Sequence, residues 1–289
     1  MKKRVFGLVF GCVLLATAGF AQTKDTGFPV SKEPTTAEEA KRQEEQKKAQ
    51  LKAEAEKKID EKYQAWVATC SAEQQEWEKI LQANLGGFYL PLYKAGRVKG
   101  QRQAWDYVKD VPGLPRVLII GDSVSRGYTL AVRDKLAGIA NVHRAPENCG
   151  PTANGVKKLD IWTQGQKWDV VTFNFGIHDR NTPSAQYEAR LTEIIRRLRA
   201  TGAVVLFVNT TPIPDGTKTY GSSALITQKN ELAEKVMKAA GVPIVDVYSA
   251  VMPKLGELQN PNDVHFKETG YQFLGGVVAD AIKAALPKK

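Results

Sequence analysis

The sequence predicts an α/β protein built on a parallel sheet covered by helices on both faces. Two observations carry that expectation. From Val117 onward, short apolar runs suited to buried strands alternate with amphipathic segments of helical period. Each apolar run is also followed by polar residues, the pattern of strands whose carboxyl ends carry function.

The elements follow in order. Val117–Ile120 reads as the first strand, Asn141–Arg144 as a short second, Val170–Phe175 as a third, Ala203–Val208 as a fourth and Ile244–Val247 as a fifth. Between them, Tyr187, Leu191, Ile194, Ile195 and Leu198 recur at helical spacing, as do Leu225, Leu232, Val236 and Ala240. A last helix carries Leu274, Val277, Val278, Ala281, Ile282 and Ala285.

Upstream of the sheet the chain is organised differently. Met1–Ala21 has a basic start (Lys2, Lys3, Arg4), an apolar stretch to Ala18 and small residues around Ala21, which reads as a secretory signal peptide. That stretch is short for a membrane span, so no stable span is expected after cleavage. Its removal takes three positive charges and no negative ones, leaving +7 of the original +10. Export to the periplasm or the medium is the expected localisation. Gln22–Pro34 is a polar linker. From Thr35 to Leu114 a helical extension is expected. Its first half is a charged arm, with nine basic and nine acidic residues between Lys32 and Lys62, stabilised by pairs four residues apart. An apolar stripe begins at Ile59 and continues through Tyr63, Trp66, Val67 and Cys70, and Ser71 with Gln74 resembles a capping box where a helix restarts. The catalytic domain then spans 115–289. No dense basic run with interleaved aromatics is present, which argues against nucleic acid as a partner. Cys70 and Cys149 remain after cleavage, and in an oxidising compartment the two could pair.

The residues after the strands point to chemistry. Gly121-Asp122-Ser123 follows the first, Glu147-Asn148-Cys149-Gly150-Pro151-Thr152 the second, Gly176-Ile177-His178-Asp179 the third and Asn209-Thr210-Thr211-Pro212 the fourth; Asn262-Asp263-Val264-His265 lies beyond the fifth. A dinucleotide site wants G-x-G-x-x-G after the first strand and an acid closing the second, and only Gly121 fits. A serine on a strand-to-helix turn, by contrast, stands above the sheet near N–H groups that favour negative charge. Such a serine needs a base, and His265 is a candidate. The competing roles are structural: Ser123 or His265 as helix caps, His178 as a core histidine, and His143, His178 and His265 as a metal site. Trp162, Trp168 and Tyr220 could line a sugar groove or belong to the core.

Gly121-Asp122-Ser123, Gly150, Gly176-x-x-Asp179 and His265, in that order over about Pro115–Leu286, resemble the SGNH (GDSL-type) hydrolase family. The resemblance implies a flavodoxin-like three-layer sandwich with strand order 2-1-3-4-5, and hydrolysis of acyl esters with neither metal nor cofactor. It implies Ser123 as nucleophile and His265 as general base and acid. The oxyanion donors would be the Ser123 N–H, the Gly150 N–H and a third side chain. The sequence departs from the family pattern twice. His178 stands where an asparagine is usual, so the third donor is expected to be its ring N–H, with Asn174 as the substitute. Asn262 stands where the supporting aspartate is usual, so His265 is expected to lean on Asn262 or on Asp263. The expected substrate is a small-molecule or polysaccharide acyl ester, a short acyl group on carbohydrate above all, with a lipase-like esterase and a non-catalytic carbohydrate-binding protein as alternatives.

Overall fold

In the computed structural model, residues 36–215 and 221–287 are described. Signal peptide, linker and Tyr220 therefore lie outside the described residues. The chain divides into two units, Met1–Lys52 and Ala53–Lys289. Helix α1 runs Thr36–Val67, and its residues up to Lys52 are all exposed, as a charged helix with few apolar residues must be.

In the second unit, the apolar stripe read from Ile59 becomes a small core of its own. Helix α2 (Ala72–Asn84) starts at Ser71, whose hydroxyl accepts the Gln74 N–H, and α3 (Gly86–Val98) follows directly. Tyr63, Leu81, Leu85, Tyr93 and Trp105 bury one another there. Glu78 is fully buried among them and accepts the hydroxyls of Tyr63 (2.6 Å) and Tyr93 (2.8 Å). Replacing it with alanine leaves two buried hydroxyls without an acceptor, each costing about 1–3 kcal/mol. Glu78→Ala is therefore expected to lower the melting temperature by several degrees while kcat stays near wild type. A melting temperature equal to wild type contradicts this account.

The sheet has five parallel strands in the order β2-β1-β3-β4-β5. They are β1 (Arg116–Ile120), β2 (Asn141–Arg144), β3 (Val170–Phe173), β4 (Val204–Val208) and β5 (Ile244–Val245). The alternation of side chains along each strand divides the core in two. Leu118, Ile120, Val171, Phe173, Val205 and Phe207 face α5 (Thr152–Thr163), α6 (Ser184–Arg199) and α7 (Ser223–Ala240). Val117, Ile119, Val170, Leu206 and Val208 face α4 (Ser123–Lys135) and α10 (Glu268–Ala285). The short helices α8 (Val247–Val251) and α9 (Leu255–Leu258) lead from β5 toward α10. The expected third and fifth strands thus stop early, at Phe173 and Val245, where the chain turns out of the sheet. No helix of the described residues is long and apolar enough to cross a membrane.

Cys70 and Cys149 are free thiols, so the pairing considered above does not form. Cys149 is fully buried in the main core, and burial pushes its thiol up to about 12. Cys70 sits at the turn after α1, its thiol donating to the Trp66 carbonyl. Trp162 and Trp168 are core residues too, with indole N–H groups spent on Glu147 and on the Thr163 carbonyl.

Candidate active site

Ser123 is the first residue of α4, directly beyond β1. The cap of that helix is Asp122, whose carboxylate accepts the Val124 N–H at 2.9 Å. The capping role open to Ser123 is thus filled by its neighbour, and the serine hydroxyl is left for other contacts.

His265 reaches that hydroxyl from the other end of the domain. Gln259 and Phe266 form an antiparallel bridge, and the Asn260 N–H bonds to the His265 carbonyl, so residues 259–266 make a tight hairpin just before α10. The buried Gln259 side chain ties this hairpin to the Pro212 carbonyl beyond β4. Helix α10 then packs closely on α4. A Cβ on Gly127 would lie 2.0 Å from the Tyr271 ring, so only glycine permits this approach. The result is a chain of hydrogen bonds: Ser123 Oγ to His265 Nε2 at 2.8 Å, and His265 Nδ1 to Asp263 Oδ1 at 2.8 Å.

Asp263, not Asn262, is the residue bonded to the imidazole. Asn262 is exposed and takes a left-handed conformation (φ 56°), which turns the chain so that the next carboxylate faces back toward His265. Asp263 Oδ1 also accepts the His265 backbone N–H at 3.2 Å. Burial pushes the Asp263 carboxyl up, but the hydrogen bonds from His265 outweigh it and hold the group below the usual aspartate range. With Nδ1–H directed at that carboxylate, Nε2 is the nitrogen able to accept the serine proton.

Gly150 lies on the loop after β2. The Cys149 N–H donates to the Gly121 carbonyl (3.1 Å), which ties this loop to the Ser123 turn. Gly150 has φ 64°, a left-handed conformation that favours glycine, and a Cβ there would lie 2.9 Å from the Asn154 amide. Neither the Ser123 nor the Gly150 N–H donates to another group of the described chain. Asp179, fully buried, accepts the Thr152 N–H (2.7 Å), the Thr152 hydroxyl (2.6 Å) and the Thr182 hydroxyl (3.0 Å). Its carboxylate therefore fixes the Gly150 loop at the start of α5 to the turn after β3.

The third donor expected from the sequence is not brought into this network. His178 lies on a short 3-10 turn (Ile177–Asp179), exposed, and its ring bonds to no other described residue. Asn174 is no substitute, because its amide N–H groups go to the Val208 carbonyl (2.8 Å) and the Thr210 hydroxyl (3.3 Å). His178→Ala therefore separates two cases. A loss of about 10²–10³ in kcat is expected of an oxyanion donor that engages only when substrate is bound. A change under threefold assigns His178 to the solvent-facing rim. On the exposure of its ring the expected outcome is the smaller change. His143 is engaged elsewhere, with Asp110 at 2.6 Å, and burial holds its pKa below the ordinary histidine value. Among the described residues no group of three or more His, Cys, Asp or Glu side chains could hold a metal ion.

Solved structures share this fold. A lipase/acylhydrolase from Enterococcus faecalis is 22% identical with a TM-score of 0.55, over 61% of this chain and 99% of its own. The acetyl xylan esterase AlAXEase is 15% identical with a TM-score of 0.51, over 58% of this chain and 99% of its own. A catalytic mutant of the acetylxylan esterase Axe2 from Geobacillus stearothermophilus is 14% identical with a TM-score of 0.50, over 63% of this chain and 100% of its own. No curated protein matches the sequence. The fold and the strand-end residues thus define an acyl hydrolase of SGNH type. The GDSL-like lipase/acylhydrolase family model matches residues 119–273, more than half of the chain, and the protein belongs to that family.

Proposed function

We propose that the protein is an exported serine esterase that removes short O-acyl groups, acetyl above all, from carbohydrate. The observation that carries this reading is the hydrogen-bonded series Ser123–His265–Asp263. His265 Nε2 takes the hydroxyl proton as Ser123 Oγ attacks the ester carbonyl, and the Oγ–C bond forms. The carbonyl oxygen becomes an oxyanion received by the Ser123 and Gly150 N–H groups. The C–O bond to the sugar breaks, and His265 returns its proton to the leaving hydroxyl. Water, deprotonated by the same nitrogen, then releases the acid from Ser123. Asp263 holds the imidazole in the required tautomer and offsets its charge while it is protonated.

The acetyl assignment is supported by the two acetylxylan esterases among the structural neighbours and by the signal-like Met1–Ala21 segment. The test is a screen of 4-nitrophenyl esters from acetate to palmitate, run beside acetate release from acetylated polysaccharides. Highest kcat/KM on acetate with release from a polysaccharide is the expected result. A maximum at long chains makes the protein lipase-like, and no turnover of any ester makes it a binding protein. Export is tested by the mature N-terminus, expected at Gln22.

A further inference from the structure

Arg144 closes β2 and is 1% exposed. In the parallel register it pairs with Ile119, whose side chain faces α4, so the guanidinium is carried under the first turn of that helix. There Nη2 donates to the Asp122 carbonyl (2.8 Å) and the Gly121 carbonyl (3.1 Å), and Nη1 donates to Ser125 Oγ (2.8 Å) and, more weakly, to Thr129 Oγ1 (3.4 Å). The Ser125 hydroxyl itself donates to the same Asp122 carbonyl at 2.7 Å. Trp105 covers the guanidinium, with its ring centroid 5.7 Å from Cζ.

Two features of this arrangement are unusual. A cation at a helix N-terminus opposes the helix dipole. No carboxylate of the described residues lies within ion-pair distance of it, although a buried, unpaired charge is costly. The carbonyls it holds supply a reason. Asp122 C=O and Ser123 N–H belong to one planar trans peptide, so they point in opposite directions. Fixing the carbonyl on Arg144 fixes where the Ser123 N–H points. Drawing electron density toward the carbonyl also makes that N–H a better donor.

We propose that Arg144 is a positioning residue of the oxyanion site, aiming the Ser123 N–H through the Asp122 carbonyl and keeping a buried positive charge that the tetrahedral intermediate offsets. An interaction completed only when the oxyanion forms raises kcat rather than tightening substrate binding. This inference rests on the serine-esterase reading above.

Arg144→Lys keeps the charge and loses the planar fork. With 4-nitrophenyl acetate it is expected to lower kcat by about 10- to 100-fold, a partial loss of one donor, with KM within about threefold of wild type. A boronic acid, which places a negatively charged oxygen in the same site after adding to Ser123, should lose affinity by a similar factor. The Ser123 amide ¹⁵N resonance should shift as well, a change that a general loss of stability does not produce. A folded Arg144→Lys with wild-type kcat, or with reduced kcat and unchanged boronate affinity, overturns the proposal. If Arg144→Lys does not fold, Ser125→Ala decides. It removes one hydrogen bond to the Asp122 carbonyl, and a parallel three- to tenfold loss in kcat and boronate affinity is expected. Wild-type values for both overturn the proposal. A wild-type protein inactive on every ester overturns the esterase reading and this inference with it. An active wild type silenced by Ser123→Ala, with indifferent Arg144 and Ser125 variants, overturns this inference alone.

Discussion

Ser123→Ala is expected to lower kcat on 4-nitrophenyl acetate by at least about 10³-fold and as much as 10⁶-fold, the range seen when a nucleophile is removed from a hydrogen-bonded triad. The magnitude follows from what remains. An alanine leaves the oxyanion donors and His265 in place, so only water activated by the imidazole can attack, and binding alone supplies the residual rate. The fold should hardly notice. Asp122, not Ser123, caps α4, and Asp122 keeps its bond to the Val124 N–H in the variant. The change deletes one partly solvated hydrogen bond to His265, worth about 1 kcal/mol. The measurement is steady-state kinetics beside thermal unfolding of the same sample. A variant with half the wild-type kcat and an unchanged melting temperature removes Ser123 from the chemistry. A variant that loses both activity and fold leaves the nucleophile role to be read from covalent labelling of wild-type Ser123 by a fluorophosphonate, and an unlabelled Ser123 then counts against it.

The fold was legible because its strands are buried on both faces. Val117–Ile120 is an unbroken apolar run, Val170–Phe173 is broken only by Thr172, and the helices between later strands carry one clean stripe each. Helix α3 falls within the expected helical extension, although its own residues argue weakly for a helix. It holds Gly86, Gly87 and Pro91, poor helix formers, and packing of Tyr89, Leu90, Tyr93 and Val98 in the small core offsets them. Of the residues picked out by their places after strands, the structure joins Ser123 to His265 by a hydrogen bond and sets Gly150 on a loop tied to the Ser123 turn. The choice between Asn262 and Asp263 could not be read from the sequence, because it turns on one left-handed residue. Arg144 was invisible for a different reason. In sequence it reads as a polar residue ending a strand, and its role depends on a parallel register that pairs it with Ile119. His178 is exposed on its turn and unbonded to the described residues, so its part in the site rests on the His178→Ala measurement.

The second large effect is expected at Asp263. In Asp263→Asn the carboxylate that accepts the His265 Nδ1 proton becomes an amide, whose NH₂ can donate to Nδ1 instead. That favours the tautomer with the proton on Nε2, which cannot accept from Ser123. A loss of about 10²–10⁴ in kcat is expected, the upper figure being that of a fully buried triad aspartate. Asp263 is partly exposed, so water can partly restore the missing acceptor and the lower end of the range is favoured. Asn262→Gly is the control. Glycine adopts φ 56° without strain, so the hairpin keeps its turn and kcat stays within about twofold of wild type. The reverse result, a silent Asp263→Asn beside a crippled Asn262→Gly, moves the support of His265 to the neighbouring residue. A pH test accompanies the kinetics. Because the Asp263 pKa is depressed in the fold, its contribution to stability is complete above the ordinary aspartate value of ~3.9 and fades as pH falls through the lower folded value. The stability gap between wild type and Asp263→Asn should therefore be constant from pH 7 to 5 and close below about 4. A gap that has already closed at pH 5 counts against this carboxylate as its source.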